Sequence, residues 1–216
     1  MFDPARLIAA LPELANGATN TVMLTFCSAL LSWVVGSVIV VGLLSPVALW
    51  RRAGRVYVSF MRGTPALVQL FLVFFALPMI GVHVPPFIAA SITLGLNSGA
   101  YVAEILRGAL LAIPAGQIEA AEALGMRKAA LWRRILLPQG IRIALPSLTN
   151  ELTLLLKTTP LASVVAVTEL TFAGQIVIAR TFEPAEVLLA VALGYIVVSQ
   201  ALVLGARALE RHLAVT

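Results

Sequence analysis

The sequence predicts an all-α integral membrane protein with five transmembrane helices. Three observations carry this expectation. Of the 216 residues, 60% are hydrophobic and only 12% charged, with a mean hydropathy of +0.99. Long uncharged runs stand where a soluble domain would alternate polar and apolar faces. The basic residues gather between apolar runs, as topology charges do. That placement accounts for the net charge of +5 and the pI of about 10.1. No basic groove with interleaved aromatics accompanies them, so no nucleic-acid partner is expected.

Residues 1–18 form an N-terminal external segment, 19–207 the transmembrane domain and 208–216 a cytoplasmic tail. The first segment lacks the basic start and the small-residue cleavage site of a signal peptide. Span one covers about residues 19–44, inside a stretch with no charge between Glu13 and Arg51. Thr21, Thr25, Ser28, Ser32 and Gly36 make a small-residue stripe along it, which lets helix backbones approach closely in lipid. Spans two and three cover about 64–82 and 86–106, spans four and five about 145–167 and 187–204. Each is close to the roughly 20 apolar residues a crossing requires. Ala190, Gly194, Ala201 and Gly205 repeat the small-residue stripe on span five. "ELTFAGQIVIAR" (Glu169 to Arg180) is too short and too polar to cross.

Charge fixes the expected orientation. Arg51, Arg52, Arg55 and Arg62 follow span one, six more basic residues from Arg107 to Arg142 separate spans three and four, and Arg207 and Arg211 follow span five. The other side holds Arg6 and Arg180 against Asp3, Glu13, Glu169, Glu183 and Glu186. The basic side is cytoplasmic by the positive-inside rule, which puts the N-terminus outside and the C-terminus inside. Cys27 is the only cysteine, and His83 and His212 are isolated from acidic or histidine partners, so neither a disulfide nor a metal site is expected.

The cytoplasmic loop "EAAEALGMRKAALWRRILLPQG" (Glu119 to Gly140) is the most polar stretch of the chain. It reads as two short helices. Pro114 suits a helix start, Glu119 and Glu122 favour the positive end of its dipole, and Gly125 suits its left-handed stop. Ala120, Ala121 and Ala123 leave that helix with little bulk, so a partner can pack closely on it. Lys128 to Leu137 then read as a basic amphipathic helix ended by Pro138, with Leu131, Ile135 and Leu136 turned to the membrane. A solvated linker would explain the charge but not the capped, alanine-rich helix; a rigid docking element explains both.

Glu119-Ala120-Ala121, three residues, Gly125, nine residues, then Ile135-x-Leu137-Pro138 resembles the EAA loop of ATP-binding-cassette (ABC) importer permeases. "RGTPALVQLF" (Arg62 to Phe71), "GAYVAEILRGAL" (Gly99 to Leu110), "GQIEAA" (Gly116 to Ala121) and "LPQG" (Leu137 to Gly140) resemble the polar amino-acid branch of that family. The resemblance runs from about residue 17 to the C-terminus. It implies a permease subunit of the bacterial cytoplasmic membrane, in contact with lipid. It further implies pairing with a second permease chain, identical or homologous, and service by an extracytoplasmic solute-binding protein. Gln117, Glu119, Ala120, Ala121, Gly125, Leu137 and Pro138 would then couple the chain to a cytoplasmic ATPase dimer. ATP and magnesium would be held by that partner, and this chain has no G-x-x-x-x-G-K-[ST] phosphate loop. One departure stands out: where the family commonly reads K-D-T-S-L, this chain reads Lys157-Thr158-Thr159-Pro160-Leu161, so no substrate preference is carried over.

Charge inside a span is expensive and usually functional. Asn97, Tyr101 and Glu104 make one polar stripe on span three, and span four carries Glu151, Lys157 and Thr158. Pro160 removes a backbone donor and is expected to displace the carbonyl of Leu156, opening the helix beside Lys157. These six residues are candidates for the solute pathway; the competing reading pairs Glu104 with Arg107 as structural glue. An ATP-independent secondary transporter or channel is the alternative function, but it predicts an inverted repeat that five spans divide into poorly. An intramembrane enzyme lacks paired catalytic carboxylates or a nucleophile–base pair.

Overall fold

A computed structural model describes residues Pro4 to Ala214. Asp3 and the tail residues Val215 and Thr216 lie outside the described residues, as do the side chains of Arg6, Arg211 and His212. Nine α-helices follow one another among the described residues: α1 (Pro4–Leu43), α2 (Ala48–Gly63), α3 (Ala66–Phe71), α4 (Pro86–Leu111), α5 (Ala115–Ala123), α6 (Lys128–Leu131), α7 (Leu137–Thr158), α8 (Leu170–Thr181) and α9 (Pro184–Ala214). No strand is present among them.

The core is built around α1 and α4. Thr21, Thr25, Ser28 and Ser32 are all buried, and the stripe ends at Gly36, where an added Cβ would stand 2.5 Å from Val102 Cγ1. The reciprocal approach is as tight, for a Cβ on Gly95 would lie 2.8 Å from Leu31 Cδ2. Small residues on both helices therefore set the spacing. Most of the stripe's hydroxyls bond within α1: Thr25 Oγ1 donates to Thr21 O (2.8 Å) and Ser32 Oγ to Ala29 O (2.8 Å). On α9 the stripe is half used. Gly194 packs on Leu170, while Gly205 has no atom within 4 Å of where a Cβ would stand.

The predicted external segment is helical from Pro4 onward and continuous with span one. Ala10 and Leu14 pack against Leu170, Ala173 and Val177 of α8, and Arg180 pairs with Glu13. The turn into α8 is held by a buried polar knot that the sequence did not announce. Glu169 caps α8 by accepting from the backbone N–H of Thr171 (2.9 Å) and Phe172 (2.8 Å), and Tyr195 donates its hydroxyl to the same carboxylate at 2.5 Å. Thr21 Oγ1 accepts from Leu170 N at 3.0 Å, and Asn20 donates to Thr168 O at 2.8 Å. Glu169 and Thr21 are fully buried, so each needs its partner.

Two helices, over Ala9–Leu43 and Pro184–Ala208, are long and apolar enough to cross a membrane alone. Two further pairs qualify only when joined across a bend: α2 with Ala66–Ile80 (102°) and Lys128–Val165 with α8 (49°). α4 has the length, 26 residues or about 39 Å at 1.5 Å per residue, with polar side chains along it. The bent pair changes the boundary of the second predicted span. Pro65 holds Thr64 extended (φ −119°, ψ 144°), which breaks the helix there. Gln69 Nε2 donates to the carbonyls of Met61 (3.0 Å) and Thr64 (3.2 Å), and Asn97 Nδ2 also reaches Met61 O (2.8 Å). α2 is thereby held beside α4, with Tyr57 donating to Leu96 O at 2.6 Å.

Candidate functional site

Four of the six predicted pathway residues share one cavity. Asn97, Tyr101, Glu151 and Thr158 line a space of about 240 Å³ between α4 and α7, together with Ser98. The remaining wall is Leu94, Leu154 and Leu155. Glu151 is 9% exposed, and Ser98 donates to its Oε1 at 2.8 Å. A carboxylate in such a wall is a ready acceptor for a cation that arrives without its water. Asn97 has its amide engaged by Met61 O and by Gln69 Oε1 (3.1 Å), so it joins the cavity wall to the α2–α3 bend.

Lys157 and Glu104 lie elsewhere. Lys157 is exposed and outside this lining. Glu104 accepts from Arg107 through both Nε (3.1 Å) and Nη2 (2.7 Å). Glu104 borders a second cavity of about 330 Å³ with Arg51, Arg55, Arg107 and Leu43. The expected opening at Pro160 takes a different form. α7 passes into a 3-10 turn over Thr159–Val165, and the Leu156 carbonyl is not left free: it accepts from the backbone N–H of Thr159 and from Thr159 Oγ1 (2.8 Å). Thr158 Oγ1 likewise donates to Leu155 O at 2.7 Å. The two threonines before the proline repair what the proline disrupts.

Sequence reasoning missed Arg62. Read as a topology charge between spans, it is returned to the site by the bend at Thr64 and Pro65. Its guanidinium lies over the Tyr101 ring, 5.0 Å from the centroid. The Gly-Thr-Pro that follows it was the available signal, since Pro forces its predecessor out of the helical region.

The loop helix is α5. It ends as the sequence predicts: Gly125 has φ +71°, its N–H donates to Glu122 O (2.9 Å) and that of Met126 to Ala121 O (3.0 Å). This is the paired closure that a left-handed residue allows. Two other expectations are corrected. The helix begins at Ala115, so Glu119 lies past its first turn and Glu122 in its last; neither sits at the positive end of the dipole. Leu131 and Leu136 do not face lipid either, because they are buried with Ile113 and Ala121, with Ile135 partly buried against them, and clamp α5 from beneath. Nor does Pro138 end the second helix. The chain runs through a π-turn at Trp132–Leu136, where Leu137 N–H donates to Trp132 O, and continues as α7 with Pro138 in its first turn. The widened turn leaves room for the ring that would otherwise strike the carbonyl one turn back. Gln139 Nε2 donates to Gln117 Oε1 at 2.7 Å, a second tie between α5 and α7. Outward, α5 presents Gly116, Glu119, Ala120 and Ala123, and beyond them Leu124 at 85% exposure.

Residues 34–215 match the family of binding-protein-dependent transport system inner membrane components. The chain belongs to that family. It is 37% identical over 216 residues to the glutamine transport system permease protein GlnP of Escherichia coli K12, covering 98% of each chain. It is 40% identical over 183 residues to the probable amino-acid ABC transporter permease protein YckA of Bacillus subtilis, covering 85% of this chain and 81% of the other. A crystal structure of an amino acid ABC transporter with histidines superposes with a TM-score of 0.92 at 32% identity, covering 98% of this chain and 99% of that one. As a member of the family this protein is an ABC permease, a transporter subunit and not an enzyme. Among the described residues no three His, Cys, Asp or Glu side chains gather into a metal site.

Proposed function

We propose that this chain forms half of the membrane pathway of an importer for amino acids or related polar solutes. It crosses the bacterial cytoplasmic membrane five times, N-terminus outside. The names of its relatives GlnP and YckA support the solute class. The observation that carries the reading is Glu151, a buried carboxylate facing a leucine-walled cavity whose Tyr101 lies under the Arg62 guanidinium. The pair suits a zwitterion: Arg62 presents a planar fork of donors to a carboxylate, and Glu151 an acceptor to an ammonium. A second permease chain would complete the pathway, with an extracytoplasmic binding protein delivering the solute. A cytoplasmic ATPase dimer, which holds ATP and magnesium, docks on α5 through Glu119, Ala120 and Leu124, while Gln117, Ala121, Gly125, Leu137 and Pro138 keep α5 in place.

The test is uptake by the assembled transporter in vesicles, with ATP turnover measured alongside. Glu151→Gln and Arg62→Gln are each expected to lower uptake at least tenfold, roughly what one charge-assisted hydrogen bond provides, with the ATPase still bound. Wild-type uptake by both variants would remove the cavity from the pathway.

A further inference from the structure

We infer that the cavity enclosed by the end of α1, the start of α2 and the end of α4 binds the phosphate of an anionic phospholipid. Three guanidinium groups, from Arg51, Arg55 and Arg107, border it against a single carboxylate, Glu104. Arg107 is already spent on Glu104, which it grips through Nε and Nη2. Arg51 and Arg55 supply the surplus. Arg51 Nη1 donates to Ser45 O (2.9 Å) and Pro46 O (2.8 Å), closing the turn out of α1, and Arg55 Nε donates to Arg51 O (3.3 Å). Those bonds orient both side chains while each keeps other N–H groups for an anion. Positive charge pre-arranged between helix ends at the membrane surface is the setting in which lipid headgroups are held.

The character of α2 selects a lipid over a free ion, because an amphipathic helix of this kind lies along the lipid–water boundary. On the outer face of α2, Leu49 is 72% exposed, Val56 62% and Phe60 52%. Their spacing of seven and four residues sets them on one face, with Arg51 and Arg55 on another. With that apolar face in the acyl layer, Arg51 and Arg55 stand at headgroup depth, where the abundant phosphate is a lipid's. A zwitterionic headgroup brings its own cation and cancels the attraction, so the ligand is anionic. This cavity shares no lining residue with the one that holds Glu151, so the assignment is independent of the solute site.

The experiment uses the assembled transporter, taken from phosphatidylcholine nanodiscs with or without phosphatidylglycerol, washed in detergent and assayed for retained lipid by mass spectrometry. Wild type should retain phosphatidylglycerol over phosphatidylcholine. Arg51→Gln and Arg55→Gln should each weaken that retention about fivefold, from the typical contribution of one arginine near an anionic surface. Arg55 is exposed, so its variant keeps the fold if Arg51→Gln does not, and Arg55→Lys should restore most of the retention. Equal retention by wild type and Arg55→Gln would overturn the proposal. So would displacement of the retained lipid by inorganic phosphate at millimolar concentration, which would make the site one for free anions. Loss of solute uptake in Arg55→Gln with lipid retention unchanged would instead place the cavity on the solute's route.

Discussion

Gly36 and Gly205 lie on helices that both read as small-residue faces, yet only one of them touches anything. Beside Gly36 the α4 backbone and Val102 leave no space for a methyl group, whereas Gly205 faces an open surface. Gly36→Leu is therefore expected to destabilise the subunit by about 1–3 kcal/mol, the usual cost of forcing atoms into a filled interface. Gly205→Leu should leave the isolated subunit's melting temperature unchanged. Thermal unfolding of the two purified variants checks the contrast; equal effects would mean that α1 and α4 are not spaced by glycine. The stripe on α1 was legible because close packing in lipid has a residue-size signature that needs no partner to be identified. Arg62 was not legible by the same means. Its charge and its place between apolar runs satisfied the topology rule, and only the extended Thr64 before Pro65 reveals that the chain folds it back over Tyr101.

Among the elements, α5 shows how periodicity and caps can be right while facing is wrong. Gly125 closes the helix in the left-handed region as expected, since the terminator is a local property. Which alanine faces the body of the protein depends on Leu131 and Leu136, which stand before and at the end of the π-turn and pack with Ala121. Ala121 is 3% exposed and Ala120 is exposed. A tryptophan at the first position should expel α5 from its seat and lower the stability of the subunit. At the second it should leave the fold intact and reduce co-purification of the ATPase several-fold. Leu124→Ser tests the same face with less bulk, by removing an exposed apolar side chain of the kind that anchors interfaces. If Ala120→Trp and Leu124→Ser both bind the ATPase and couple its turnover to uptake as wild type does, docking takes place elsewhere. Gly125→Val, which demands a positive φ from a β-branched residue, should cost about 1–3 kcal/mol and loosen α5 without touching that face.

At the scale of the whole molecule, the charges sort into one end rich in arginine and another closed by acids. α1, α4 and α9 are each long enough to join the two ends, while α2 with α3 and α7 with α8 do so only through their bends. Those bends are what hydropathy could not place. A window of apolar residues reports composition and not direction, so it set the second span at Thr64 and left α2 outside. Orientation remains a matter of charge, and the sole cysteine makes it measurable. Cys27 is exposed on α1 and is removed by Cys27→Ser. Three single cysteines then report sidedness: His83→Cys between α3 and α4, Arg52→Cys on α2 and Ala123→Cys on α5, all at exposed positions. With the N-terminus outside, a membrane-impermeant maleimide should label His83→Cys in spheroplasts and reach the other two only after the membrane is opened. The opposite pattern would set Arg51, Arg52 and Arg55 on the outer face against the positive-inside rule. It would also turn α5 away from the compartment that holds ATP. The same labelling therefore decides the orientation of the helices and whether α5 can meet an ATPase at all.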